Sequence, residues 1–97
     1  MPTYISLTNW TEQGLRAAKD TLDRASAATA AAESMGGKIK DIYWTVGPYD
    51  LVVVAEFPDD ATGTAFLLAL GSQGNVRTTT LRAFNSDEVA EILQKLP

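Results

Sequence analysis

The chain has no cysteine and no histidine among its 97 residues. Without cysteine it has no disulfide framework and no thiolate nucleophile, a composition that fits a reducing compartment. Without histidine it lacks the commonest general base near neutral pH and the commonest transition-metal ligand, and an axial-histidine haem site is excluded. Basic side chains are the minority, eight Lys and Arg against twelve Asp and Glu, and the resulting formal charge of −4 opposes binding to a phosphate backbone. No apolar run reaches membrane-spanning length, and MPTYISLTNW lacks the basic region and long apolar run of a signal peptide. Paired carboxylates, a Walker-type glycine loop, a dinucleotide fingerprint and a metal-ligand cluster are also missing; Asp59-Asp60 reads as helix capping. These absences predict a cytoplasmic chain with no cofactor, no metal, and neither a nucleic-acid nor a membrane partner. Any chemistry falls to carboxylates, Tyr, Lys and Arg.

What is present is strongest at Thr45 to Pro58, TVGPYDLVVVAEFP. Leu51 to Ala55 are consecutive apolar residues rich in β-branched valine, which argues for a strand. Alternation sends Leu51, Val53, Ala55 and Phe57 to one face and Val52 and Val54 to the other, so both faces need cover. Gly47-Pro48-Tyr49-Asp50 has the composition of a tight connection leading into this strand through a hairpin.

In chain order, Thr3 to Asn9 reads as a strand with Ile5 and Leu7 on one face and Tyr4, Ser6 and Thr8 on the other, a face polar enough to line a wet cavity. Asn9 or Thr11 caps the helical region that follows, in which Leu15, Ala18, Leu22, Ala25, Ala32 and Met35 approximate one face; Gly14 and the Thr21 region are points where it bends. Gly36-Gly37 ends it. Lys38 to Val46 is a second strand with Ile39 and Ile42 on opposite parities, which signals a bulge or a twisted edge. After the Leu51 strand, Pro58-Asp59-Asp60 starts a helix that is apolar around much of its circumference, which predicts burial on more than one side, and Gly71 and Gly74 mark its end. Val76 to Phe84 is a fourth strand, and Ser86 caps a final amphipathic helix carrying Val89, Ile92, Leu93 and Leu96.

The order is βαββαβ with a C-terminal helix in one domain spanning 1–97. Right-handed crossovers and the hairpin favour an α+β, ferredoxin-like sandwich, with the first and third strands central and both crossover helices on one sheet face. Val52 and Val54 then lie on the uncovered face, and the apolar area there predicts a homodimer through it, or a higher oligomer. The central strand lacks the basic and aromatic signature of an RNA-binding sheet.

Candidate site residues divide between ligand contact and structure. Tyr49 and Asp50 suit a hydrogen-bonding pair at a pocket mouth, or they shape the hairpin. Glu56 ends a nearly all-apolar strand and, if buried, needs a partner. Arg24 and Arg77 are candidates for an anionic group or simply solvated charges, with Arg77 and Arg82 on opposite strand parities. Trp10, Tyr43 and Trp44 either line an aromatic-ligand pocket or seal packing.

YISLTNWTEQG, YWTVGPYDLVVVAEFPDD and GNVRTTTLRAF together resemble the GYD domain family, over roughly residues 3 to 88, with Gly47, Tyr49 and Asp50 carrying the motif around Pro48. The resemblance implies a branch of the dimeric α+β barrels with a ferredoxin-like protomer; it carries no general reaction. The functional expectation is a dimeric small-molecule-binding or regulatory domain with its pocket between sheet and helices. The alternatives are a cofactor-independent monooxygenase-like enzyme acting on a small aromatic or oxidisable substrate, and a purely structural protein–protein interaction module.

Overall fold

A computed structural model describes residues 1–97. Four strands, β1 (Thr3–Trp10), β2 (Lys38–Trp44), β3 (Leu51–Glu56) and β4 (Val76–Ala83), form one antiparallel sheet in the order β2-β3-β1-β4. Four helices accompany them: α1 (Glu12–Arg16), α2 (Thr21–Ser34), α3 (Asp60–Ser72) and α4 (Ser86–Leu93). This is the ferredoxin-like βαββαβ topology with a C-terminal helix, and β1 and β3 are central as the crossover argument requires.

The barrel implied by the family resemblance is not formed. β2 and β4 are the two edges of an open sheet, each paired on one side only, whereas closure needs more strands with a tilt and stagger that join the edges. The sheet therefore keeps one face under helices and one face open.

Local chemistry accounts for the element boundaries. The Thr11 side chain caps α1 by accepting from the Gly14 N–H at 3.2 Å. The helical region then breaks beside Thr21, one of the expected bending points: a 3₁₀ turn at Ala18–Asp20 separates α1 from α2, and the apolar face expected from Leu15 to Met35 is not kept, with Leu15 and Leu22 exposed. At the end of α2, Gly36 takes φ of 80°, and the N–H groups of Gly36 and Gly37 return to the carbonyls of Glu33 and Ala32, as a glycine C-cap does. In β2 the pairing slips between Ile39 and Asp41, which puts Ile39 and Ile42 on the same side, as their apolar character requires. Asn85, rather than Ser86, caps α4, exchanging bonds with Glu88 in a capping box of 2.8 and 3.0 Å.

The core is small and lies on the helical side of the sheet. Ala32 of α2, Ala55 of β3, Phe57 and Phe66 of α3 pack together, with the Phe57 and Phe66 rings 5.0 Å apart. The predicted burial of α3 on several sides does not occur: Gly63 and Phe66 are buried while Leu68 faces solvent, because no second layer covers the helix. α4 has no buried residue.

One contact between elements leaves no space for a side chain. A Cβ on Gly14 would stand 2.0 Å from the Asn75 carbonyl oxygen, so backbone meets backbone where α1 crosses the start of β4. Gly71, near the end of α3, has nothing within 4 Å of the same construction. Gly14→Ala is expected to destabilise the protein by about 2 kcal/mol or more, and Gly71→Ala to stabilise it by up to about 1 kcal/mol. Urea denaturation of the two variants checks both signs.

Candidate functional site

The sheet presents two surfaces of different character. On the helical side, β1 contributes Tyr4, Ser6, Thr8 and Trp10, large at the ends and small in the middle. Opposite them α2 offers Ala25 and Ala28, and small groups facing small groups leave space. The result is a cavity of about 240 Å³. Its floor includes Ser6, Thr8 and Thr80, whose hydroxyls are linked at 3.1 Å (Ser6 to Thr80) and 3.4 Å (Ser6 to Thr8); its walls are mostly apolar.

On the other side, cross-strand register lines up two rows. Val54, Ile5 and Leu81 stand side by side across β3, β1 and β4. Tyr43, Val52, Leu7 and Thr79 form the next row across all four strands. Polar groups border them: the Lys38–Glu56 pair at one end, Asn9 and Arg77 at the other, and Asp41 on β2. Tyr43 is 60% exposed and Leu81 49%, and the central aliphatic residues are half-buried. An apolar centre with a charged rim is the anatomy of a protein-binding surface. The apolar stripe of α4, with Val89, Ile92 and Leu93, is also exposed.

The residues singled out from the sequence are distributed over both surfaces. Trp10 and Arg24 line the cavity. The Arg24 guanidinium donates to the carbonyls of Ala17 at 2.6 Å and Gly14 at 3.2 Å, fastening α2 to the end of α1. Trp44 donates its indole N–H to the Thr21 hydroxyl at 3.0 Å, at the start of α2. Tyr43, Glu56 and Arg77 belong to the open face. The Asp50 carboxylate accepts the Trp10 N–H at 2.9 Å, while its own N–H donates to the Thr8 carbonyl at 2.9 Å. Asp50 thus carries the β1–β3 pairing past the end of the strand and pins the hairpin, in which Gly47 takes φ of 138°. Tyr49 sits in the same loop, where its carbonyl accepts from the Thr45 hydroxyl at 2.6 Å.

Asp59 caps α3 as its sequence position indicates, accepting from the Thr62 N–H at 2.8 Å, and this bond holds its carboxyl below the usual range. A further cluster, built on its neighbour, escaped the sequence reading. The next residue, Asp60, accepts the Tyr4 hydroxyl and lies 4.0 Å from the Arg82 Nε. The Arg82 guanidinium stacks 5.7 Å from the Tyr4 ring and 4.5 Å from that of Phe84. Tyr4 and Arg82 are directly paired across β1 and β4, a register that the sequence does not carry. Burial, then the bond to the Asp60 carboxylate and its negative charge, push the Tyr4 phenol up to about 12. A phenol held neutral donates and does not act as a base, so this cluster is a latch between α3 and the sheet.

Comparison with known proteins gives three findings. The family model described as the GYD domain matches residues 4–93. A Thermus thermophilus protein described as "Glutamine synthetase and cystathionine beta-lyase binding protein" is 34% identical over 97 residues, 99% of each chain. A crystal structure of a protein from Thermus thermophilus superposes with a TM-score of 0.55 at 25% identity, covering 89% of this chain and 96% of the other. The homodimer expected from the apolar sheet face is not supported: the relative that matches over its whole length is described by two other proteins that it binds. Apolar area by itself carries no label for a particular partner.

The latch has a pH signature. The raised Tyr4 phenol contributes stability that is fully present below its unfolded value near 10 and is lost as pH rises toward about 12. Absorbance titration at 295 nm is expected to show one of the three tyrosines ionising in a separate late step, and Tyr4→Phe to remove it.

Proposed function

The chain belongs to the GYD domain family, and we propose that within it this protein is an interaction module whose open sheet face receives another folded protein. The observation that carries the reading is the pair of apolar rows, Val54–Ile5–Leu81 and Tyr43–Val52–Leu7, bordered by charge and left bare by every helix. The relative described as binding glutamine synthetase and cystathionine β-lyase supports it, since that similarity runs the full length of both chains. The partner class is therefore a folded metabolic enzyme rather than a peptide or a nucleic acid. Aromatic and aliphatic side chains supply the contact area, and Lys38, Glu56, Asp41 and Arg77 set orientation.

The size of the face limits the strength of the complex. Strands of about 26 Å across a sheet about 19 Å wide give roughly 500 Å² per partner, below the ~800 Å² of a standard interface. Binding through this face alone belongs to the transient class, with dissociation constants in the micromolar range or weaker.

The test is calorimetric titration of the protein with purified glutamine synthetase and cystathionine β-lyase. Saturable binding to at least one is expected. Leu81→Glu, on the exposed margin of the apolar rows, is expected to weaken it at least tenfold with an unchanged thermal midpoint. Leu68→Glu, on the solvent side of α3, is expected to leave it unchanged. Binding that survives Leu81→Glu and fails with Leu68→Glu would move the interface to the helices; absence of binding to both enzymes would separate this chain's partners from those of its relative.

A further inference from the structure

We infer that the cavity between the sheet and helices α2 and α3 is a binding site for a small, uncharged, largely apolar molecule carrying a single hydrogen-bonding group. Three features of the lining specify that ligand. The first is polar chemistry at the floor. Ser6 and Thr8 are 8% and 4% exposed, on the sheet face that packs under helices, where Val or Leu would fill space and carry no desolvation cost. Ser6, Thr8 and Thr80 have three hydroxyl protons and two hydroxyl–hydroxyl contacts, of 3.1 and 3.4 Å. One proton and several lone pairs are left over for a guest bearing a hydroxyl or carbonyl group.

The second feature is charge. Arg24 is the one charged side chain in the lining, and its guanidinium is engaged with the carbonyls of Gly14 and Ala17. A carboxylate or phosphate guest finds no free counter-charge, and a cationic guest meets Arg24. Neutral molecules are favoured on both counts. The third is size: about 240 Å³ exceeds the ~150 Å³ that accommodates benzene and suits one substituted ring or a branched chain of similar bulk.

The site is independent of the interaction surface, because alternate residues of β1 and β3 point to opposite faces of the sheet. Failure of one reading leaves the other standing.

Methyl and amide NMR titration of the full chain with 4-methylphenol, toluene and 4-methylbenzoate tests the assignment. These probes share one ring and differ in the head group. Saturable shifts are expected at Ala25, Ala28 and Val53, with 4-methylphenol at least fivefold tighter than toluene and 4-methylbenzoate at least tenfold weaker than 4-methylphenol. Thr8→Val, which keeps the shape and removes a hydroxyl, is expected to abolish the preference for 4-methylphenol over toluene while toluene still binds. Ala28→Leu is expected to exclude all three, with retention of the wild-type fold checked by circular dichroism. The assignment is overturned if no probe gives saturable shifts, if the shifts fall on Val52, Val54 and Leu81, if the benzoate binds best, or if Thr8→Val keeps the phenol preference.

Discussion

Everything in this molecule depends on β3 being apolar on both sides. Leu51 to Ala55 must exclude water from two faces of one sheet, yet the two crossovers, built with the usual right-handed connection, deliver α2 and α3 to the same face. One set, Leu51, Ala55 and Phe57, is buried under helices, and Val52 and Val54 remain outside with Ile5, Leu7 and Leu81. No helix of this chain covers them: α4, the remaining element, has no buried residue. A bare apolar face flanked by charge is thus a direct outcome of connectivity.

The covered side is governed by side-chain size. Where Phe57 and Phe66 meet Ala32, the layers are sealed. Where Ser6 and Thr8 meet the alanines of α2, they are not, and a cavity opens. The two ends of the domain are held by polar contacts rather than by additional core. The Tyr4–Asp60–Arg82 latch ties the start of α3 to the sheet, and Asp50 ties the hairpin to the end of β1. Such contacts let a chain of 97 residues keep its shape around a hollow interior, although each contributes only about 1 kcal/mol.

Much of this was legible in the sequence, for a physical reason. Period-two alternation assigned the faces of β1 and β3, the mixed parity of Ile39 and Ile42 signalled the bulge, and Gly36-Gly37 marked the end of α2. These are properties of a few neighbouring residues. Closure into a barrel and the identity of a partner are properties of edges and surfaces that periodicity does not encode, and there the expectations of a dimeric barrel and a homodimer failed. The latch was missed for a similar reason, since Tyr4, Asp60 and Arg82 are brought together by tertiary structure alone. Asp50 stood out because of its place in the Gly-Tyr-Asp motif, and its geometry explains that prominence through the Trp10 N–H.

Solvent paramagnetic relaxation of the methyl groups, recorded for the free protein and in the presence of glutamine synthetase or cystathionine β-lyase as proposed partner, distinguishes the two faces residue by residue. In the complex, the methyls of Ile5, Leu7, Val52, Val54 and Leu81 should lose their relaxation enhancement, while those of Leu22 and Leu68 on the helices keep theirs. If the sheet methyls stay accessible and the protected ones are those of Leu22 and Leu68, or of Val89 and Ile92 on α4, the open sheet face is not where the partner binds.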